Sequence, residues 1–169
     1  NPSFYYKKGG GPLFDMGPYY LTALFKILGP VSEIISYSQK TFQVRSVDNP
    51  EVKYKKIDVD VDTHYLALIK FKSGVVVDFE ITFDIWKPYE PKLEFYGTSS
   101  SIKFADPNNY DGDVSIFDKK SYQWEKVHSS INEENNYYRG LGVINMVKSI
   151  NGNNISQDEI CLLYTSPSP

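Results

Sequence analysis

Val75-Val76-Val77-Asp78-Phe79-Glu80-Ile81-Thr82-Phe83-Asp84 decides the fold. Val75, Val77, Phe79, Ile81 and Phe83 alternate with Val76, Asp78, Glu80, Thr82 and Asp84. Successive side chains of a strand point to opposite faces, so this pattern predicts a strand with one buried and one wet face. Upstream, residues 64–72 read as a second strand, and Ser73-Gly74 supplies the hairpin turn between them. Further upstream, residues 31–45 and 52–61 read as strands around the turn Asp48-Asn49-Pro50. Downstream, the segments 91–97, 101–104, 113–118 and 122–128 continue the β pattern.

Two segments carry helical spacing instead. Leu21, Leu24, Phe25 and Leu28 fall at i, i+3, i+4 and i+7, and Gly29-Pro30 stops the run. Val143, Val147 and Ile150 form a similar stripe in a helix expected over 138–150, with Gly152 beyond its end. Many strands joined by short turns, with few helices, predict an α+β fold. The expected architecture is a largely antiparallel, open-faced β-sheet with helices packed on one face.

The chain has 169 residues, 41% hydrophobic and 23% charged, which is enough for one domain with a real core. A net charge of −3 gives no broad attraction to nucleic acid or to an anionic membrane. The basic residues include just two arginines, Arg45 and Arg139, which argues against a phosphate-reading arginine cluster. No run approaches the ~18 apolar residues of a membrane span, and no secretory signal opens the chain. A single cysteine, Cys161, excludes an internal disulfide and suits a reducing, cytoplasmic setting. The high aromatic share, 15%, fits β packing, with a sticky or sugar-stacking face as the alternatives.

Gly9-Gly10-Gly11-Pro12-Leu13-Phe14-Asp15-Met16-Gly17-Pro18-Tyr19-Tyr20 is where chemistry is expected. The glycines let backbone come close to the entrance of the following helix. Asp15 and Tyr19 are four residues apart, one turn of a helix face, and a carboxylate beside a phenol is a candidate acid/base pair. Pro18 is costly inside a helix, so the regular helix is expected to start near it. The bland reading of Asp15 is a carboxylate capping the helix amides, and that of Tyr19 is a half-buried aromatic. The glycines lack both the Gly-x-Gly-x-x-Gly spacing and the Lys-Ser/Thr ending of a P-loop, so they read as a close-packed bend.

Other candidates are weaker. Trp86 follows the strongest strand and is a candidate for stacking on a sugar ring, with core packing as the alternative. His64 reads as a structural residue at a strand start. His64, His128 and Cys161 are too scattered to form a metal site. Asp58, Asp60 and Asp62 read as a charged edge that deters aggregation, with cation binding as the alternative.

The ordered motifs resemble the C-terminal domain of the Gfo/Idh/MocA oxidoreductases. The family's glycine run and Asp-x-Gly-x-His/Tyr motif are similar to Asp15-Met16-Gly17-Pro18-Tyr19. Thr63-His64-Tyr65, Lys72-Ser73-Gly74 and Thr82-Phe83-Asp84-Ile85-Trp86 resemble a hairpin of one branch. Phe95-Tyr96-Gly97-Thr98-Ser99-Ser100-Ser101-Ile102 resembles its Tyr-Gly-Thr strand, with Ser100 where glycine is usual, followed by Asp106-Pro107-Asn108. Arg139-Gly140-Leu141-Gly142-Val143 resembles the opening of its last long helix. The resemblance runs over about residues 1–158.

That resemblance implies a substrate-binding and catalytic-assist half of an NAD(P)-dependent oxidoreductase acting on a sugar, cyclitol or related polyol. It implies Asp15 and Tyr19 as catalytic residues, and Lys8, Gly11 and Trp86 at the substrate. NAD or NADP would be bound mainly by an N-terminal Rossmann domain, whose glycine fingerprint and Glu-Lys-Pro lysine do not occur in this sequence. A phenol, with an ordinary pKa near ~10, would need such a lysine to share a proton at neutral pH. The family also implies homo-oligomers through the open face of the sheet. Tyrosine rather than histidine at position 19 leaves a non-catalytic sugar-sensing or regulatory protein as the alternative. A stand-alone carbohydrate-binding module is a third. The domain is expected over 1–160. The Ser/Pro-rich segment 161–169 is expected to be a non-native or disordered tail, with Asn1 lying mid-protein.

Overall fold

The computed structural model describes residues 2–47, 49–51, 56–88, 92–109, 112–127, 146–147 and 150–152. The chain divides into two compact units, with the boundary between Trp86 and Lys87. The helix expected over 138–150 lies almost wholly outside the described residues, as does the tail at 161–169.

The first unit opens with a 3₁₀ turn, Pro2–Tyr6. Helix α1, Pro12–Asp15, and helix α2, Gly17–Leu28, follow. Pro18 sits in the first turn of α2, where its missing N–H costs nothing. Gly29 ends the helix, its N–H donating to the Phe25 carbonyl at 3.0 Å. Strands β1 (Val31–Gln39), β4 (His64–Phe71) and β5 (Val76–Thr82) form an antiparallel sheet in the order β1-β4-β5. Short strands β2 (Val44–Ser46) and β3 (Lys56–Asp58) pair separately. The β4–β5 hairpin turns at Lys72-Ser73-Gly74 as the sequence predicts, with the Gly74 N–H on the Phe71 carbonyl at 2.9 Å.

Register sorts the two faces. Ile69, opposite Val77, and Tyr65, opposite Ile81, mark the face covered over β4 and β5, whereas Ile34 and Ser38, opposite them on β1, are exposed. Leu24, Ile57, Val59, Ile69, Phe71 and Ile81 are the buried apolar residues. The Phe25 ring of α2 meets the Phe71 ring edge-on at 6.2 Å, which sets the helix against the end of β4. Gly17 packs close to Ile81, so α2 begins against β5. The other face carries Ile35, Tyr37, Leu66 and Leu68 from β1 and β4, and Asp78 and Glu80 from β5. The side of the sheet predicted to be wet on β5 is therefore apolar on β4 and β1.

The second unit is an antiparallel meander, β6-β7-β8-β9, over Glu94–Tyr96, Ser101–Lys103, Val114–Asp118 and Gln123–Val127. The Gly97 N–H donates to the Ser100 carbonyl at 2.9 Å and closes the first turn. Among the described residues the non-glycine with positive φ is Tyr122, at 55°, so Ser100 fits this turn without strain. In the β8–β9 turn, Asp118 accepts from the Lys120 and Ser121 amides at 3.2 and 2.8 Å. The Ser121 amide, then its hydroxyl, hold the Asp118 carboxyl below the usual carboxylate range. The Lys103 ammonium lies 3.9 Å above the Trp124 ring.

Phe71 is 1% exposed and joins sheet to helix. Phe71→Ala is expected to cost about 3–5 kcal/mol of stability. Urea unfolding monitored by circular dichroism measures it; a midpoint equal to that of the parent protein would contradict this packing.

Candidate active site

The site begins with the bend before α1. The Gly11 N–H donates to the Tyr5 carbonyl at 2.6 Å, and the Gly10 N–H to the Lys7 carbonyl at 2.8 Å. A Cβ on Gly10 would lie 2.5 Å from the Phe4 carbonyl oxygen and 2.7 Å from that of Tyr5. Gly11, with φ of 93°, caps α1, and a Cβ there would approach the Asp62 carbonyl to 3.2 Å. Glycine is required at both positions, at the first for space and at the second for backbone angle as well. Protein backbone fills the space a side chain would take at Gly10 and Gly11, and their amides are bonded to protein carbonyls, whereas Gly9 faces open space. Gly10 and Gly11 are thus a close-packed bend.

Asp15 ends α1 and Tyr19 lies in the first turn of α2, with Met16 between the helices. The single helix face read from the sequence is therefore divided, because Gly17 and Pro18 open a new helix. The Asp15 N–H still bonds the Gly11 carbonyl at 3.0 Å, and the Tyr19 N–H bonds that of Met16 at 3.2 Å. The glycine bend thus sets the position of Asp15 directly. Burial pushes the Asp15 carboxyl above its ordinary range. Tyr19 is 48% exposed.

Of the residues expected at the substrate, Gly11 is buried and Lys8 is exposed. Trp86 is fully exposed, at 105%, which removes the core-packing alternative. It is the last residue of the first unit. Lys7, beside Lys8, pairs with Asp60 at 3.0 Å. Asp62 accepts from Ser38 Oγ at 2.6 Å. Two of the three aspartates read as a charged edge are thus partnered within the unit. His64 stands at the start of β4 with Nδ1 3.9 Å from Glu80, as a structural residue would. Among the described residues no cluster of three metal-ligating side chains occurs.

The sequence reading missed one group altogether. Asp84, assigned to the wet face of its strand, has a side chain only 7% exposed and pairs with Arg45. It also accepts from Thr41 Oγ1 and Thr63 Oγ1, each at 2.6 Å. Strand alternation stops at Thr82, so it cannot predict where Asp84 points.

A model of the GFO/IDH/MocA C-terminal domain matches residues 1–103. The chain belongs to the Gfo/Idh/MocA family. Solved structures share its fold. An oxidoreductase domain protein from Kribbella flavida is 22% identical, with 74% of this chain and 34% of that one covered, at a TM-score of 0.56. Levoglucosan dehydrogenase in complex with NADH and L-sorbose is 18% identical, with coverage of 91% and 45% and a TM-score of 0.66. An NAD-binding oxidoreductase from Klebsiella pneumoniae is 19% identical, with coverage of 82% and 37% and a TM-score of 0.57. The chain thus spans about a third to a half of the length of these structures. No curated protein matches it.

Gly10→Ala would drive a methyl into two carbonyl oxygens. Its expected cost is about 1–3 kcal/mol, with hydrogen-exchange protection falling at the start of α1. Unchanged protection at residues 11–16 would contradict the close approach.

Proposed function

We propose that this chain is the substrate-binding and catalytic-assist half of an NAD(P)-dependent oxidoreductase acting on a sugar, cyclitol or related polyol. Membership of the Gfo/Idh/MocA family supports the reaction class, and the likeness to levoglucosan dehydrogenase supports a polyhydroxylated substrate. The observation that carries the reading is Asp15 and Tyr19 at the α1–α2 junction, one with a raised carboxyl and one half exposed.

NAD or NADP, held by a nucleotide-binding domain, would supply hydride transfer. The residues of this chain bind and orient the substrate. Tyr19 takes the proton of the substrate hydroxyl, helped by the lysine that the family's Glu-Lys-Pro motif contributes. Asp15 orients the phenol and the hydroxyl. The exposed Trp86 indole offers a flat apolar face for a sugar ring, and Lys8 a donor for its hydroxyls.

The raised carboxyl gives a direction for pH. A carboxyl whose folded pKa lies above its unfolded value adds stability in its neutral form. That gain is complete below the ordinary carboxyl value of 3.8 and is lost as pH rises through the raised folded value. Asp15→Asn keeps the neutral form, so it should flatten the stability–pH curve in that window. Unfolding curves between acid and neutral pH measure this; a curve parallel to that of the parent protein would contradict a desolvated Asp15.

For the chemistry, Tyr19→Phe in the full-length oxidoreductase should lower the turnover of a polyol panel by about 10²–10⁴-fold, with cofactor affinity unchanged. Cofactor absorbance follows it. Full activity would assign the proton to another group, and an inactive parent protein that still binds sugars would favour the sensor reading.

We assign the open sheet face to a second copy of the chain. Ile35, Tyr37 and Leu68 are 65%, 69% and 52% exposed, a contiguous apolar area of the kind that marks interfaces. Leu68→Lys is expected to convert an oligomer to a monomer in size-exclusion chromatography. A parent protein that runs as a monomer at high concentration would contradict this assignment.

A further inference from the structure

We propose that Asp84 is a positioning residue for the Asp15/Tyr19 pair, acting through the segments it ties to the glycine bend. The proposal rests on the site reading above for its functional meaning, and on geometry alone for its mechanical content.

Asp84 joins three stretches of chain. Thr41 comes from the β1–β2 connection, Arg45 from β2, and Thr63 is the residue before β4. Both carboxylate oxygens are used, one by Arg45 and the other by the two threonines. The Asp84 amide donates to Thr82 Oγ1 at 2.9 Å, and that hydroxyl donates to the Thr63 carbonyl at 3.2 Å. Thr63 is fully buried, at 0% exposure. Its N–H bonds the Gln39 carbonyl at 3.0 Å, and its own carbonyl takes the Phe83 N–H at 2.9 Å. The Arg45 guanidinium also lies 4.6 Å from the Phe42 ring centroid. A buried carboxylate with three partners has few alternative arrangements, because each lost partner leaves a polar group unsatisfied.

Both chain neighbours of this hub reach the glycine bend. Asp62, next to Thr63, presents its carbonyl to Gly11, the residue that caps α1. Phe83, next to Asp84, sets its ring edge-on to Tyr5 and Tyr6, at 6.3 and 5.7 Å. The Tyr5 carbonyl holds the Gly11 N–H, and the Tyr6 carbonyl holds that of Asp60. The Gly11 carbonyl in turn holds the Asp15 N–H. A movement of the carboxylate therefore reaches the start of α1 by two routes. Asp84 touches neither Asp15 nor Tyr19 and has no catalytic part of its own.

The test places 3-fluorotyrosine at position 19 and reads its ¹⁹F resonance in the folded chain. Asp84→Asn keeps the shape but removes the charge and one acceptor. The expected result is a Tyr19 resonance displaced by more than its linewidth. Ile69→Val, a truncation in the core of the same sheet, should leave that resonance in place. Where Asp84→Asn does not fold, Thr41→Val carries the test, because it removes one donor and keeps the ion pair; a smaller displacement is expected. A resonance unmoved in the folded Asp84 or Thr41 variant would overturn the proposal. So would an equal displacement by Ile69→Val, which would mean general loosening. The readout needs no substrate, so it stands apart from the Tyr19→Phe activity test. A displaced resonance with an active Tyr19→Phe enzyme would fault the site reading and leave the positioning intact.

Discussion

The carbonyls of Phe4 and Tyr5 occupy the space where a side chain at Gly10 would begin, and the Asp62 carbonyl faces Gly11 in the same way. Two stretches of backbone, one before α1 and one before β4, thus meet at a pair of residues without side chains. That approach fixes where α1 starts, and α1 fixes Asp15. The aromatic rings of Tyr5 and Tyr6 then lie against Phe83 at the end of β5. Close packing of this kind transmits small displacements, because no void absorbs them. The first unit is organised around the bend, with the sheet behind it supplying rigidity.

Most of the fold was legible from side-chain periodicity. The alternation from Val75 to Asp84 marks β5, and Ser73-Gly74 marks its hairpin. Of the stripe Leu21, Leu24, Phe25 and Leu28, Leu24 is buried and Phe25 meets Phe71 of β4. Periodicity failed where the chain leaves regular structure. The β1 reading over 31–45 ran through a bend, since the strand ends at Gln39 and β2 begins at Val44. Asp84 was assigned to solvent two residues beyond the last paired position of β5. Its partners, Thr41, Arg45 and Thr63, are 21 to 43 residues away in the chain, a separation no local pattern encodes. Asp60 and Asp62 looked like a repelling edge for the same reason, because Lys7 and Ser38 come from other elements.

The candidate site was legible in part. Asp15 and Tyr19 were singled out by their spacing and by a family resemblance, and the structure places them on two helices, α1 and α2, rather than one. Pro18 is the physical reason, since it starts a helix more readily than it continues one. Trp86 was read two ways, and its full exposure decides against core packing. The glycines were read as a bend rather than as a phosphate loop, and the carbonyls packed against them give that reading its mechanism. Gfo/Idh/MocA membership accounts for the order of the motifs within residues 1–103.

The most direct measurement is titration of the 169-residue chain with NADH and with NADPH, followed by fluorescence. With the Gly10 and Gly11 amides already bonded to the Lys7 and Tyr5 carbonyls, no saturable binding should occur up to millimolar cofactor. Saturable binding, abolished by a substitution at Gly9 or Gly11, would contradict the account by placing a cofactor site at the bend itself.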